Sequence, residues 1–304
     1  MAKRHPKGRT PISWERARGI FGDPQPPREV WERQFDYGDE EVQRLARTPY
    51  DQIDFSDLWY YHHDLAYVKL QPELFDYLFP VCLMDWHHSL MQNNPCSHGD
   101  SEFHYGVRRG NVLENMLAPT KRQAVYEFFR DSFLERLDAE RGFVYSGGKT
   151  PAYAWMSRFN SLAIIAPVAE FLWTPWWSLD TSGRAVAALQ YCSGLMYREG
   201  ENPLFAAWTQ EQGGGGPHLW ESDTHICNAG WMEVNLDFLR TTLNVDYVKE
   251  KVAGAVARLK GEPEWQTARQ LEADLPESED LMTLRVAELP ALLGEASGNG
   301  TWSC

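Results

Sequence analysis

The sequence predicts a mainly α protein, and three observations carry that prediction. Apolar residues recur at three- and four-residue steps over long segments, period-two alternation is scarce, and no strand–helix–strand pattern repeats along the chain. The expected architecture is a multi-helix globular bundle around a buried central helix at about 153–173, with at most a minor β-hairpin between Gly99 and Gly110 or near Tyr145. The chain has 304 residues, 43% of them hydrophobic and 13% aromatic, with thirteen Trp, so a sizeable core is feasible without metal or disulfide staples.

Residues 1–27 are basic and end in Asp23-Pro24-Gln25-Pro26-Pro27, which predicts an extended arm. A single helical domain is expected over 28–293, with a possible subdivision near 200–217, and a flexible Gly/Ser-rich tail over 294–304. Short amphipathic helices are expected at 28–35 and at 39–47, the second capped by Asp39 and stopped before Pro49. Gln71-Pro72 then opens a helix whose stripe Leu74, Phe75, Leu78, Phe79, Cys82, Leu83, Trp86 and Leu90 points to a core face, with a kink at Pro80. Residues 96–110, rich in Gly, Ser and charge, read as a loop.

Thr120 with Gln123 three positions on predicts a capping box for a helix over 121–141, closed by Gly142. Gly147-Gly148-Lys149-Thr150 lacks the earlier glycine of a phosphate-binding loop, since Phe143 stands there, and reads as a turn. The apolar helix at 153–173 should kink at Pro167, and Thr174-Pro175-Trp176-Trp177 turns into a helix over 184–199. Gly213 to Gly216, the least restrained backbone in the body of the chain, is the best candidate for a hinge or mobile loop. Four helices follow at 229–243, 246–260, 263–275 and 279–289, with Pro276 as a stop between the last two.

The formal charge of −14 divides into +5 over residues 1–18 and −19 over the rest. An acidic body disfavours a phosphate-tracking groove, so nucleic acid is expected only through the arm at 1–18, and a protein partner, possibly basic, is the better fit. Five cysteines without a CxxC pair suit a reducing compartment. The absence of a signal-peptide pattern or a long apolar run completes the expectation of a cytoplasmic chain that does not enter a membrane.

Eight of the nine histidines fall in two regions, 62–104 and 218–225. His98 and Asp100 form a His-x-Asp triplet that, joined by His218 or His225, would supply two imidazoles and a carboxylate to Fe, Zn or Mn. His62, His63, Asp85 and His88 are the reserve ligands; Asp85 and His88, three apart on a helix, share a face. The metal reading requires the loop from His98 to His104 to meet the loop from His218 to His225. No activated nucleophile is signalled, and Cys304 is expected to be an exposed tail thiol. The first functional expectation is therefore a non-catalytic partner-binding protein of the inhibitor, immunity or adaptor type. The alternatives are a metal-dependent enzyme using the two His regions, and a carrier whose working end is Trp302-Ser303-Cys304.

Overall fold

The computed structural model describes residues 12–31, 39–92, 98–143, 151–198, 200–205, 219–220 and 229–295, without the side chains of 51, 98–101, 151 and 153. Among them the chain is built of helices and short 3-10 turns, with no strand. It forms two compact units, residues 1–89 with 97–132 and residues 90–96 with 133–304, a division that does not fall near 200–217.

In the first unit, part of the segment expected to be an extended arm is helical. Ser13 caps α1 (Trp14–Ile20), its hydroxyl accepting from the Arg16 N–H at 3.2 Å. The helix buries Ala17, sends Phe21 against Phe75 and Phe79, and pairs Arg16 with Asp131 at 2.7 Å. Burial of those groups outweighs the Pro/Gly composition around them. The helix expected at 28–35 is not formed over its described part, residues 28–31. There the Gln71 side chain holds the extended backbone, donating to Glu29 O at 2.7 Å and accepting from Trp31 N–H at 2.9 Å.

Next come α2 (Asp39–Leu45), α3 (Trp59–Tyr67) and α4 (Pro72–Met91). Helix α4 presents the predicted stripe to the core and runs on through Pro80, because Leu78, Phe79, Val81 and Cys82 around it are all fully buried. Residues 98–109, expected to be a loop, form α5 (His98–Arg109). Its inward face is Phe103, Gly106, Val107 and, just beyond the helix, Gly110, and the two glycines let it lie directly on α3. A Cβ at Gly106 would come within 2.5 Å of His62 O, and one at Gly110 within 2.0 Å of Leu65 O. After α6 (Val112–Asn115), α7 (Pro119–Asp138) starts with Pro in its first turn. It begins ahead of the Thr120 cap expected from the sequence, and Gln123 bonds Glu127 instead.

The core of the second unit is where the central helix was expected, but that helix is two. Helix α8 (Pro151–Ile165) stops before Pro167, and α9 (Ala169–Trp176) restarts after it. One buried side chain spans the groups freed at the break: Asn235 donates to Ala163 O and Ala166 O at 2.7 and 2.8 Å and accepts from Ala169 N–H at 3.1 Å, while the same two carbonyls also accept from Met232 N–H and Val168 N–H. Helix α10 (Ser182–Met196) is capped by Thr181 and buried along nearly its whole length. Gly183 allows its start to touch the end of α7, 2.3 Å separating a Cβ there from Leu137 O. Arg184 fastens the same junction on Asp138 at 2.7 Å.

Behind it lies a buried polar chain. Arg136 pairs with Glu140 at 2.6 Å, Gln190 donates to Glu140 at 3.2 Å, and the Trp155 indole donates to Gln190 at 3.3 Å. Burial pushes the Glu140 carboxyl above its ordinary range, a shift that Arg136 opposes. Trp173, Trp176, Trp177 and Tyr191 pack ring on ring beside this chain, and Trp173 donates to the Tyr247 hydroxyl at 2.8 Å.

The unit is completed by α11 (Glu233–Thr242), α12 (Val245–Arg258) and α13 (Trp265–Gly294). The last replaces the two helices expected at 263–275 and 279–289. Pro276 sits on the exposed side of α13, while Leu275, Ser278 and Met282 beside it are buried, and that burial carries the helix past a residue that costs about 3 kcal/mol in a helix interior. Trp231 N–H bonds Leu293 O at 2.8 Å, so the end of α13 is tied to the entry of α11. No helix among the described residues is long and apolar enough to cross a membrane.

Candidate functional site

The histidines that drew attention in the sequence divide into three groups. His98 and Asp100 lie in the first turn of α5, their side chains outside the described residues, and His218, His225 and Cys304 are themselves outside them. The metal-ligand set of the sequence reading is therefore not assembled from described side chains, nor is the meeting of its two segments. Among the described residues, no three His, Cys, Asp or Glu side chains gather as a metal would require.

The reserve residues sit in the first unit and pack as structure. His62 is fully buried with its ring 5.6 Å from Phe103, and His63 lies against Tyr67 at 4.5 Å. On α4, Asp85 is half-buried and His88 exposed, its ring 5.8 Å from Phe55. Two histidines outside the candidate set hold defined bonds. His104 Nε2 accepts from the Trp86 indole at 2.9 Å, and His87 Nδ1 meets the Ser132 hydroxyl at 2.6 Å. Burial, helped by the neighbouring His88, lowers the His87 pKa to about 4, so its imidazole is neutral at pH 7. Cys82 and Cys192 are buried, and burial raises both thiols well above their ordinary range, leaving them inert as nucleophiles.

The tryptophans separate just as clearly. Trp86, Trp155, Trp173, Trp176, Trp177 and Trp231 fill the cores, whereas Trp220 is 38% exposed. Trp220 stands at a groove of about 360 Å³ in the second unit, between the end of α10 and one flank of α13. Leu195, Leu219, Leu281, Leu284, Leu289 and Leu292 supply its apolar walls, and Arg198, Arg285 and Glu288 its polar groups. Volume and lining fall within the usual range of ligand and peptide sites.

The groove is built by specific residues. Asn160 donates to Leu219 O at 2.9 Å and holds Leu219 and Trp220 in place. Leu219 fits against α10 because residue 194 is glycine, where a Cβ would come within 2.9 Å of its side chain. Arg285 donates to the Gly194 carbonyl across the gap, and the Tyr197 hydroxyl donates to Asp274 at 2.7 Å, so two bonds set the spacing of α10 and α13. Burial first, and Asp274 second, raise the Tyr197 pKa, which keeps that hydroxyl a donor.

On α13 the lining residues 281, 284, 285, 288, 289 and 292 follow helical spacing for about three turns, roughly 16 Å at 1.5 Å per residue. Leu284 is 52% and Leu292 41% exposed. The outer lip, where Glu277, Asp280 and Glu288 stand exposed with no cation at ion-pair distance among the described residues, is acidic. Nearby Glu279, by contrast, is paired with Lys249 at 2.8 Å.

Sequence reasoning missed this site for a traceable reason. Stopping one helix at Pro276 and ending the next at 289 splits the acidic lip from the leucines and omits Leu292, while Trp220 reads the same whether it fills a core or lines a cleft. The i, i+3, i+7, i+11 spacing of Leu281, Leu284, Glu288 and Leu292 was the available signal. Compared with protein-family models, curated proteins and solved structures, the chain matches none of them, and its function is therefore read from its own residues alone.

Proposed function

We propose that the chain is a non-catalytic partner-binding protein and that its partner docks on the groove between α10 and α13. The observation that carries this reading is the exposure of Trp220, Leu284 and Leu292 around one preformed apolar groove. Large apolar side chains held at a surface by a rigid frame mark interaction sites. The acidic composition supports a protein partner with basic character, since carboxylates around an apolar centre steer a cationic surface and discriminate against anionic ones.

The test is site-specific photo-cross-linking in the cells that produce the protein. A benzophenone side chain at Leu284 should capture a discrete partner, one at exposed Glu250 should not, and Leu292→Asp should abolish the capture. Equal products from both positions would remove the docking reading. Stoichiometric iron, zinc or manganese in the purified protein, lost when His98 and His218 are both replaced by Ala, would establish the metal-dependent alternative in its place.

A further inference from the structure

The proposal deepens the docking reading and rests on it: the partner's chemistry is written on the two sides of the groove. The α13 side is a strip rather than a cup. Residues 277, 284 and 288 lie seven and four positions apart, so Glu277, Leu284 and Glu288 follow one line along the helix, with Asp280 beside it and Glu295 just past the helix end. Exposed leucines at 284 and 292 alternate along that line with carboxylates. The floor behind it is leucine and Trp220, and the opposite wall ends in Arg198, whose side chain has no carboxylate at ion-pair distance among the described residues. An apolar small molecule would leave the acidic strip unused. An extended strand has no free sheet edge to join here.

We infer that the groove receives an amphipathic basic helix of a partner protein, laid along α13. Its apolar stripe, at three- and four-residue spacing, fills the leucine and Trp220 floor. Lys or Arg on one flank faces Glu277, Asp280 and Glu288, and a carboxylate on the other flank suits Arg198. The length of the strip matches three turns of such a helix, and helix-in-groove docking uses this pairing of an apolar stripe with charged margins. The outer carboxylates act chiefly on the rate of encounter and on partner choice, and the leucines hold the complex.

Three synthetic peptides of about 18 residues, five helical turns, separate the possibilities. One has Leu at helical spacing with Lys elsewhere, one has the same Leu pattern with Glu, and one is the Leu/Lys composition scrambled; binding to the full chain is followed by isothermal titration. The Leu/Lys helix should bind one-to-one, at least about tenfold tighter than either control, and weaken as salt rises. Leu284→Asp should abolish binding; because Leu284 is largely exposed, the variant keeps its fold, which circular dichroism verifies. The triple variant Glu277→Lys, Asp280→Lys, Glu288→Lys should transfer the preference to the Leu/Glu helix.

Equal affinity for the patterned Lys and Glu peptides, binding of the scrambled peptide as tight as the patterned one, or indifference to charge reversal overturns the inference. The docking reading itself survives any of these if cross-linking from residue 284 still captures a partner and Leu292→Asp still abolishes it. If that capture is lost too, both fall together.

Discussion

Asn235 shows how much one side chain can hold. Its amide satisfies three backbone groups at the interruption between α8 and α9, all buried, and Pro167 makes those groups unavoidable. Asn235→Ala leaves the Ala169 N–H unpaired in the core and takes one of two donors from each carbonyl, Ala163 O keeping Met232 N–H and Ala166 O keeping Val168 N–H. It should destabilise the second unit by about 2 kcal/mol, read as a lower urea midpoint. Asn235→Asp, which keeps the acceptor for Ala169 but presents oxygen to two carbonyls, should fare no better. His87 governs a different response. Its folded pKa of about 4 lies below the ordinary value near 6.5, so the unfolded chain takes up the proton first as pH falls. The stability contributed by neutral His87 is complete above about pH 6.5, declines between 6.5 and 4, and is gone below that. Urea midpoints at pH 7.5 and 5 should differ by the equivalent of roughly 2 kcal/mol, and His87→Gln should shrink the difference; an unchanged slope in that variant would assign the acid sensitivity to other groups.

At the level of elements, what the sequence revealed and what it hid follow from the range of the forces involved. The stripe of α4 and the body of α7 were legible, since apolar spacing within one helix is local information. Helix α5 was not, because Gly106 and Gly110 read locally as loop residues. Their purpose is a close approach to His62 and Leu65, residues more than forty positions away. Gly106→Ala should therefore cost about 1–3 kcal/mol in the first unit despite the better helix propensity of alanine, checked by hydrogen exchange confined to α3 and α5. A stabilised protein would mean that the α3 backbone gives way freely. Pro167 was readable as a disturbance, yet its outcome as a clean break depended on Asn235, and the passage of α13 through Pro276 depended on burial on its other side. The groove was hidden in the same way. Its walls come from α10, from Leu219-Trp220 and from α13, segments that the sequence does not connect.

For the molecule as a whole, composition was informative about class and mute about place. Mainly helical architecture and the absence of strands among the described residues follow from the periodicity. Charge bore only on which partners to disfavour, while the residues proposed to meet a partner come together only on the unbroken α13, which aligns Glu277, Leu284 and Glu288 on one line. The histidine-rich stretch, the most conspicuous feature of the sequence, supplies packing groups such as His62, His87 and His104 to the first unit.

The ring cluster of Trp173, Trp176, Trp177 and Tyr191 has an optical consequence. Indoles held with centroids 4.6 to 5.5 Å apart in fixed, chiral orientation couple their transitions. The near-ultraviolet circular dichroism of the chain should thus be dominated by the second unit. The first unit contributes mainly through Trp86, whose indole donates to His104 Nε2 at 2.9 Å. Loss of that near-ultraviolet signal on heating should therefore report the unfolding of the second unit.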